Sequence, residues 1–372
     1  MREKGGIILS KFASRKQLFF ILLMPLAILL SKTSTIFPNF IETYYSSFFY
    51  KIIATVLSAV TGFLPFSFAE LIIVCFSILV LYYVSKMFFH LCKDKNKRLE
   101  TLKNFGLNIL AVLGVIYFSF QLLWGFNYQR LSLDEIFELK VQESSSTEVV
   151  ELCKILIKNS NSLRKNLNED KNGVMDLPYT KRYMLKTAYL GYDKASLKYP
   201  KLRGNYGTPK SILLSIPMCY TGITGFYFPF TSEANVNTEA PDSSLPFTTS
   251  HEMAHQRGYA KEDEANYIAY IACIHHPDIN FKYSGTLAAL SYSFNALKEN
   301  DSQKFNELLS TCSSGVLNDL NYKERFWQGY SGTIETIGDT INDTYLKSQN
   351  QESGTKSYGA MVDLLLAEHR KK

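Results

Sequence analysis

Ser250-His251-Glu252-Met253-Ala254-His255-Gln256-Arg257-Gly258, followed by Tyr259-Ala260-Lys261-Glu262-Asp263-Glu264-Ala265-Asn266, decides how this chain is read. On a helix, residues four apart lie one turn apart on one face, so the imidazoles of His251 and His255 reach the same point. Glu252 is turned about 100° around the helix axis, beside that point without occupying it. Two imidazoles are two of the three protein ligands of a catalytic zinc, whose fourth position is left for water. A nearby carboxylate must then take a proton and pass it on, which is the role of the Glu in an HExxH pattern.

The third ligand is sought in the segment that follows. Gly258, three residues past His255, suits a left-handed turn that ends the helix and sends the chain back. A second helix from about Ala260 then presents Glu262, Asp263 and Glu264. Glu262 is preferred because Asn266 lies four residues on, on the same face, where it can make an outer-shell hydrogen bond; Glu264 is the competitor. A His six residues past His255 would mark a metzincin, but that position is Lys261. The blander reading makes Thr249 and Glu252 a capping box at a helix start; the acidic cluster after Gly258 favours the metal site over it. Five residues are candidates for stabilising an oxyanion: Arg257, Tyr259, Tyr267, His275 and His276. For the last two, which precede Pro277, partnering a helix C-terminus is the simpler role.

Upstream, Phe226-Tyr227-Phe228-Pro229-Phe230 suits a short edge strand, Pro229 favouring an edge and the exposed edge suiting an extended peptide. Thr231 to Asn237 reads as a loop. Ser244-Leu245-Pro246 reads as a cap and first turn for the helix carrying His251. Tyr183 to Tyr199 reads as one amphipathic helix, and most of Tyr283 to Leu366 as helical.

The first third of the chain has a different composition. Residues 1–129 hold 13 Lys and Arg against 5 Asp and Glu, whereas the remainder is slightly acidic, so the overall +6 does not point to nucleic acid. Apolar stretches near 17–37, 66–91 and 105–126 each supply roughly 20 residues, enough at about 1.5 Å per residue to cross a hydrocarbon core of roughly 30 Å. Phe48 to Leu64 is broken by Lys51, Ser58, Thr61 and Gly62, and reads as an interfacial or re-entrant helix, with a fourth span as the alternative. Arg2, Lys4, Lys11, Arg15 and Lys16 precede the first stretch, and Lys93-Asp94-Lys95-Asn96-Lys97-Arg98 separates the second from the third. Basic residues stay cytoplasmic, so the chain after the third span emerges on the outer face, with Trp124, Tyr128 and Arg130 as interface anchors. The six cysteines include no CxxC pair, and Cys75 and Cys92 belong to apolar stretches, so no disulfide framework is expected.

The motifs Gly225 to Asn237, Leu245-Pro246-Phe247-Thr248, His251 to Ala260 and Glu262-Asp263-Glu264-Ala265-Asn266 together resemble an uncharacterised bacterial membrane family, domain of unknown function 3810. The resemblance extends over nearly the whole chain, from the N-terminal spans through Trp124 to Arg130 and on to the Ser357-Tyr358-Gly359 to Leu366 tail. It implies a membrane-bound zincin-like protein and no particular substrate. Glu262-x-x-Ala265-Asn266 is similar to the Glu-x-x-Ala-Asp/Asn element of gluzincin peptidases, in which the Glu ligates zinc, although the gap from His255 is much shorter here.

The expectation is therefore a mainly α membrane protein, multi-pass in the cytoplasmic membrane. A transmembrane anchor at 1–129 precedes an extracytoplasmic α+β zincin-like domain at 130–372, with a small sheet and a helical C-terminal part. Zinc is held by His251, His255 and Glu262, and Glu252 is the catalytic base for hydrolysis of a peptide or protein substrate. The alternatives are a zinc-dependent amidase acting on cell-wall peptides, and a non-catalytic receptor or assembly factor stabilised by zinc.

Overall fold

The computed structural model describes residues 14–142, 144–348 and 358–371. Arg2, Lys4 and Lys11 of the basic N-terminus and Ser357 of the tail motif lie outside the described residues. The chain is mainly helical. Helix α1 (Arg15–Ser34) starts with a Ser14–Gln17 capping box. A helical run, α2, follows as Pro38–Phe40, a π-helical stretch Ile41–Phe49 and Tyr50–Gly62. Then come α3 (Phe68–Lys93) and α4 (Arg98–Leu123). Among the described residues three helices are long and apolar enough to cross a membrane: Arg15–Ser34, Phe68–Lys93 and Lys95–Leu123. They match the three expected stretches, and α1 and α3 both pack on α4.

Helix α2 is two-faced. Glu42, Ser46, Tyr50, Ala54 and Ser58 recur every fourth residue and are buried. Phe40, Tyr44, Phe48, Ile52, Val56 and Val60 recur in the same way, offset by two, and are exposed. A period of four with both ladders on one helix gives one face to the rest of the protein and leaves the other bare.

The remaining chain builds a helical body around a small sheet. Short α5 (Leu133–Phe137) leads to α6 (Ser146–Arg164), whose Ser145–Glu148 capping box sets its start. The single helix expected from Tyr183 to Tyr199 is two, α7 (Lys181–Thr187) and α8 (Tyr189–Ala195). The break redirects α8 so that Gly191 lies against the Ala272 carbonyl, a contact no side chain would fit. Strand β1 (Lys210–Ser211) and the short α9 (Ser215–Cys219) precede β2 (Gly225–Phe228) and β3 (Glu233–Val236). The sheet order is β1-β3-β2, with β1 parallel and β2 antiparallel to β3. The aromatic run is an edge strand, as expected, with Pro229 just past its end.

The central strand, however, is formed by the segment read as a loop. Glu233 and Asn235 hide β3 from a hydrophobicity reading, yet both are buried because they serve the start of α3. The Glu233 carboxylate accepts from the Phe68 and Ala69 N–H groups at 3.2 and 2.7 Å, and Ser67 Oγ donates to Asn235 Oδ1 at 2.7 Å. Orphan helix N–H groups supply what a buried polar strand needs.

Helices α10 (Leu245–Gln256), α11 (Glu262–His275) and α12 (Ile279–Asn300) form the centre of the body. They are followed by α13 (Ser302–Leu309), α14 (Ser314–Gln328), α15 (Thr333–Ser348) and α16 (Tyr358–Arg370). Helix α11 lies between α10 and α12, α6 packs along α12, and the Met361 to Ala367 apolar face of α16 closes the core. All six cysteines are free thiols.

Candidate metal centre

Helix α10 is set by its own first turn. Ser244 occupies the N-cap position and Pro246 the first turn, but the Ser244 side chain makes no capping hydrogen bond. Thr249 sits mid-helix, its hydroxyl donating to the Leu245 carbonyl at 2.7 Å, so Glu252 is not part of a capping box. The helix ends at Gly258, which adopts φ +82° in the left-handed region. Its N–H donates to the His255 carbonyl at 2.8 Å and the Tyr259 N–H to the Ala254 carbonyl at 3.2 Å, closing the helix end. The chain then reverses, and α11 begins at Glu262 with three acids in its first turn, where a helix N-terminus favours negative charge.

The reversal brings Glu262 to the two histidines. His251 Nε2 lies 3.0 Å from His255 Nε2 and 3.2 Å from a Glu262 oxygen, and the other Glu262 oxygen is 3.5 Å from His255 Nε2. Ligands about 2.0–2.1 Å from a tetrahedral zinc are about 3.3 Å apart, so these three donors have the spacing of a ligand set. His255 Nδ1 is tied to the Tyr259 carbonyl at 2.8 Å, which turns Nε2 toward the cluster as a ligating tautomer requires. Burial alone would lower the His255 pKa, but the Glu262 carboxylate raises it to about 9. For Glu262 burial works in the opposite direction and is outweighed by both histidines, which hold the carboxyl well below its usual range.

Glu252 is buried beside the cluster with Oε2 unpartnered. Burial raises its pKa to about 7, with His251 and His255 pulling the other way. That is the range a general base needs near neutral pH. Its position depends on Gly225 of β2, where a Cβ would lie 2.8 Å from Glu252 Oε1 and 2.8 Å from the Asn235 carbonyl.

The other candidates separate from the cluster. Glu264 is buried away from it, accepting from the Leu133 N–H at 3.1 Å and paired with Lys261 at 3.1 Å. The Asn266 oxygen accepts from the Tyr292 hydroxyl at 3.1 Å, and its expected contact with Glu262 is not among the hydrogen bonds of the described residues. Arg257 is sandwiched between the rings of Tyr192 and Tyr206 at 3.7 and 4.8 Å. The Tyr267 hydroxyl donates to Glu368, and Tyr259 stacks under Arg130. His275 bonds the Ile271 carbonyl and His276 the Thr187 carbonyl. None of these five oxyanion candidates lines the cavity at the cluster.

Trp124, Tyr128 and Arg130, read as interface anchors, are buried under α10 instead. After α4 the chain makes a 3-10 turn over Gly125–Gln129 and tucks beneath the end of α10. Trp124 Nε1 donates to the His255 carbonyl at 3.3 Å. Arg130 donates to the Gly258 carbonyl at 2.9 Å and pairs with Glu42 of α2 at 2.8 Å. The Tyr50 hydroxyl of α2 lies 3.0 Å from the Gln256 carbonyl and 3.0 Å from the Tyr227 hydroxyl. Contacts thus cross the boundary drawn at residue 129. Glu42 and Tyr50 went unnoticed in the sequence; the available signal was a carboxylate in an otherwise apolar stretch, which needs a partner.

A cavity of about 570 Å³ opens beside the cluster. Its walls are the β2 edge with Gly225 and Tyr227, the end of α4 with Phe120 and Trp124, and helices α12, α14 and α15. On the α15 side the Tyr345 hydroxyl meets that of Tyr128 at 3.1 Å. This is a mainly helical membrane protein with an N-terminal anchor and a His-His-Glu group facing an open cavity. A profile described as Protein of unknown function (DUF3810) matches residues 45–366, and the chain belongs to that family. No curated protein and no solved structure matches it.

Proposed function

We propose that the protein is a membrane-anchored zinc metallopeptidase, with His251, His255 and Glu262 as zinc ligands and Glu252 as general base. The observation that carries this reading is the convergence of three donor atoms at tetrahedral spacing with a buried, partly unpartnered carboxylate beside the free edge of a strand. When bound, zinc supplies Lewis acidity and makes water a stronger acid. Glu252 takes the water proton and delivers it to the leaving amine nitrogen. The free edge of β2 aligns an extended polypeptide through main-chain hydrogen bonds, the cavity lying on that side. The basic residues between α3 and α4 support a cytoplasmic loop there, in keeping with a body on the outer face of the cytoplasmic membrane.

The test is metal content together with hydrolysis. The purified protein is expected to carry about one zinc, in keeping with a three-ligand catalytic site. Glu262→Ala loses it, Glu264→Ala keeps it, and Glu252→Gln keeps zinc while losing cleavage of casein or peptides. Zinc lost only in Glu264→Ala overturns the ligand assignment. Stoichiometric zinc with no cleavage of casein, peptides or murein favours the non-catalytic alternative, and cleavage of murein alone favours the amidase.

A further inference from the structure

The cavity opens at the end of a helix long and apolar enough to cross a membrane. Phe120, one turn before the end of α4, lines its wall, and Trp124, the next residue after that helix, holds the carbonyl of His255. Helix α2 joins the ends of α1 and α3 from which the body projects, and its Tyr50 touches the same turn of α10 from below. Tyr50 reaches from α2 to the His255 carbonyl at 3.3 Å; with the helix radius of about 5–6 Å behind it and the lengths of the Tyr and His side chains, the cluster stands within about 25 Å of the bare face of α2.

Other exposed apolar residues are tied to the start of α3 and to the rim of the cavity. The Leu213 and Leu214 N–H groups donate to the Glu70 carboxylate in the first turn of α3, at 2.9 and 2.7 Å. The side chains beside them are uncovered: Leu213 is 77% exposed and Ile216 56%. Across the cavity mouth, α15 leans on the Thr221–Gly222 turn at Gly338 and Glu335, and its Ile334, Ile337 and Ile341 project outward. Exposed apolar area of this extent, continuous with helices long enough to span, marks a lipid surface.

We propose that the bare face of α2, the 213–216 segment and the outer face of α15 are seated in the lipid headgroup layer, so that the cavity takes polypeptides still tethered to the membrane. The substrate half of this inference rests on the peptidase reading; the seating does not. At about 3.3–3.6 Å per extended residue, a reach of about 25 Å places the cleaved bond about seven residues from the substrate's anchor.

The experiment uses the full chain in lipid nanodiscs, in a Cys75→Ala/Cys92→Ala background, with a fluorophore at Leu213→Cys, Ile216→Cys or Ile337→Cys. Ile155→Cys on α6, which among the described residues packs on α12, α13, α14 and α16 and on none of the three helices long enough to span, is the control. Brominated lipids are expected to quench the three test sites by about twofold or more and to leave residue 155 unchanged, as for side chains in the interface. Equal quenching at all four sites overturns the seating. In the second arm, a peptide on a transmembrane anchor carries its cleavage site about seven or about thirty residues from the bilayer, a span set by chain extension. Cleavage of the short-spacer substrate at least as fast as the long one is expected; refusal of the short one overturns the substrate inference. If neither is cleaved while quenching is as expected, the peptidase reading fails and the seating stands.

Discussion

Removing the carboxylate of Glu42 tests whether the anchor and the turn at Gly258 are one mechanical unit. Arg130 and Glu42 are both almost wholly buried, 2.8 Å apart, and Arg130 also donates to the carbonyl of Gly258, the residue that reverses the chain toward Glu262. At an effective dielectric of about 20, two charges at that distance attract by about 6 kcal/mol, against which stands the desolvation of both. The pair need not stabilise the fold relative to apolar residues. Breaking it from one side strands the guanidinium, at a cost of about 3–5 kcal/mol. Lys201, half-exposed at 3.1 Å from Glu42, recovers little of this. Glu42→Gln is therefore expected to lower the denaturation midpoint in detergent strongly and to weaken zinc binding by about 10–100-fold, as loss of outer support does. Arg130→Met with Glu42→Gln removes both charges, and the double variant is expected to be about 2–3 kcal/mol more stable than the sum of the two singles implies. The measurement is a double-mutant cycle by chemical denaturation, with zinc affinity determined in parallel by chelator competition. Additivity within about 0.5 kcal/mol, with zinc affinity unchanged, would refute the coupling.

Further outcomes follow from the same geometry. Gly225→Ala places a methyl against Glu252 and the Asn235 carbonyl; zinc content is expected to persist while hydrolysis falls about 100-fold, the effect of displacing a catalytic group by about 1 Å. Trp124→Phe keeps an aromatic ring but removes the donor to the His255 carbonyl and part of a buried indole, and a loss of about 2–3 kcal/mol in denaturation stability is expected, of which the hydrogen bond is about 1. Chelation of zinc should lower the thermal midpoint, by about 4 kcal/mol of stability where free zinc had stood at about 1,000 times its Kd; a midpoint unmoved by chelator would argue against a bound ion. His276 donates from Nε2 to the Thr187 carbonyl and accepts the Asp278 N–H at Nδ1, so only the neutral ring satisfies both. Burial lowers its pKa accordingly, and its contribution to stability is present above the ordinary value of about 6.5 and is lost as pH falls below it. Unfolding curves at about pH 7.5 and 5.5 should show a smaller acid loss in His276→Gln than in the parent; equal losses would remove His276 from the account.

Local signals were enough for much of this protein. The four-residue spacing of His251 and His255, the left-handed Gly258, the three apolar helices and the edge strand at Gly225–Phe228 all depend on a few adjacent residues, so they were legible in the chain. Three other features depended on partners far away in sequence. Glu233 to Val236 is a central strand because the start of α3 supplies donors to its buried acid and amide. Trp124 and Arg130 are structural supports and not lipid anchors because α4 ends directly beneath α10. Local spacing favours Glu262, but Glu264, two residues on and about 200° around the helix, leaves the competition because it accepts from distant Leu133 as well as pairing with Lys261. Periodicity tells which side chains share a face; only packing decides what that face meets, because a buried polar group goes wherever a partner can satisfy it.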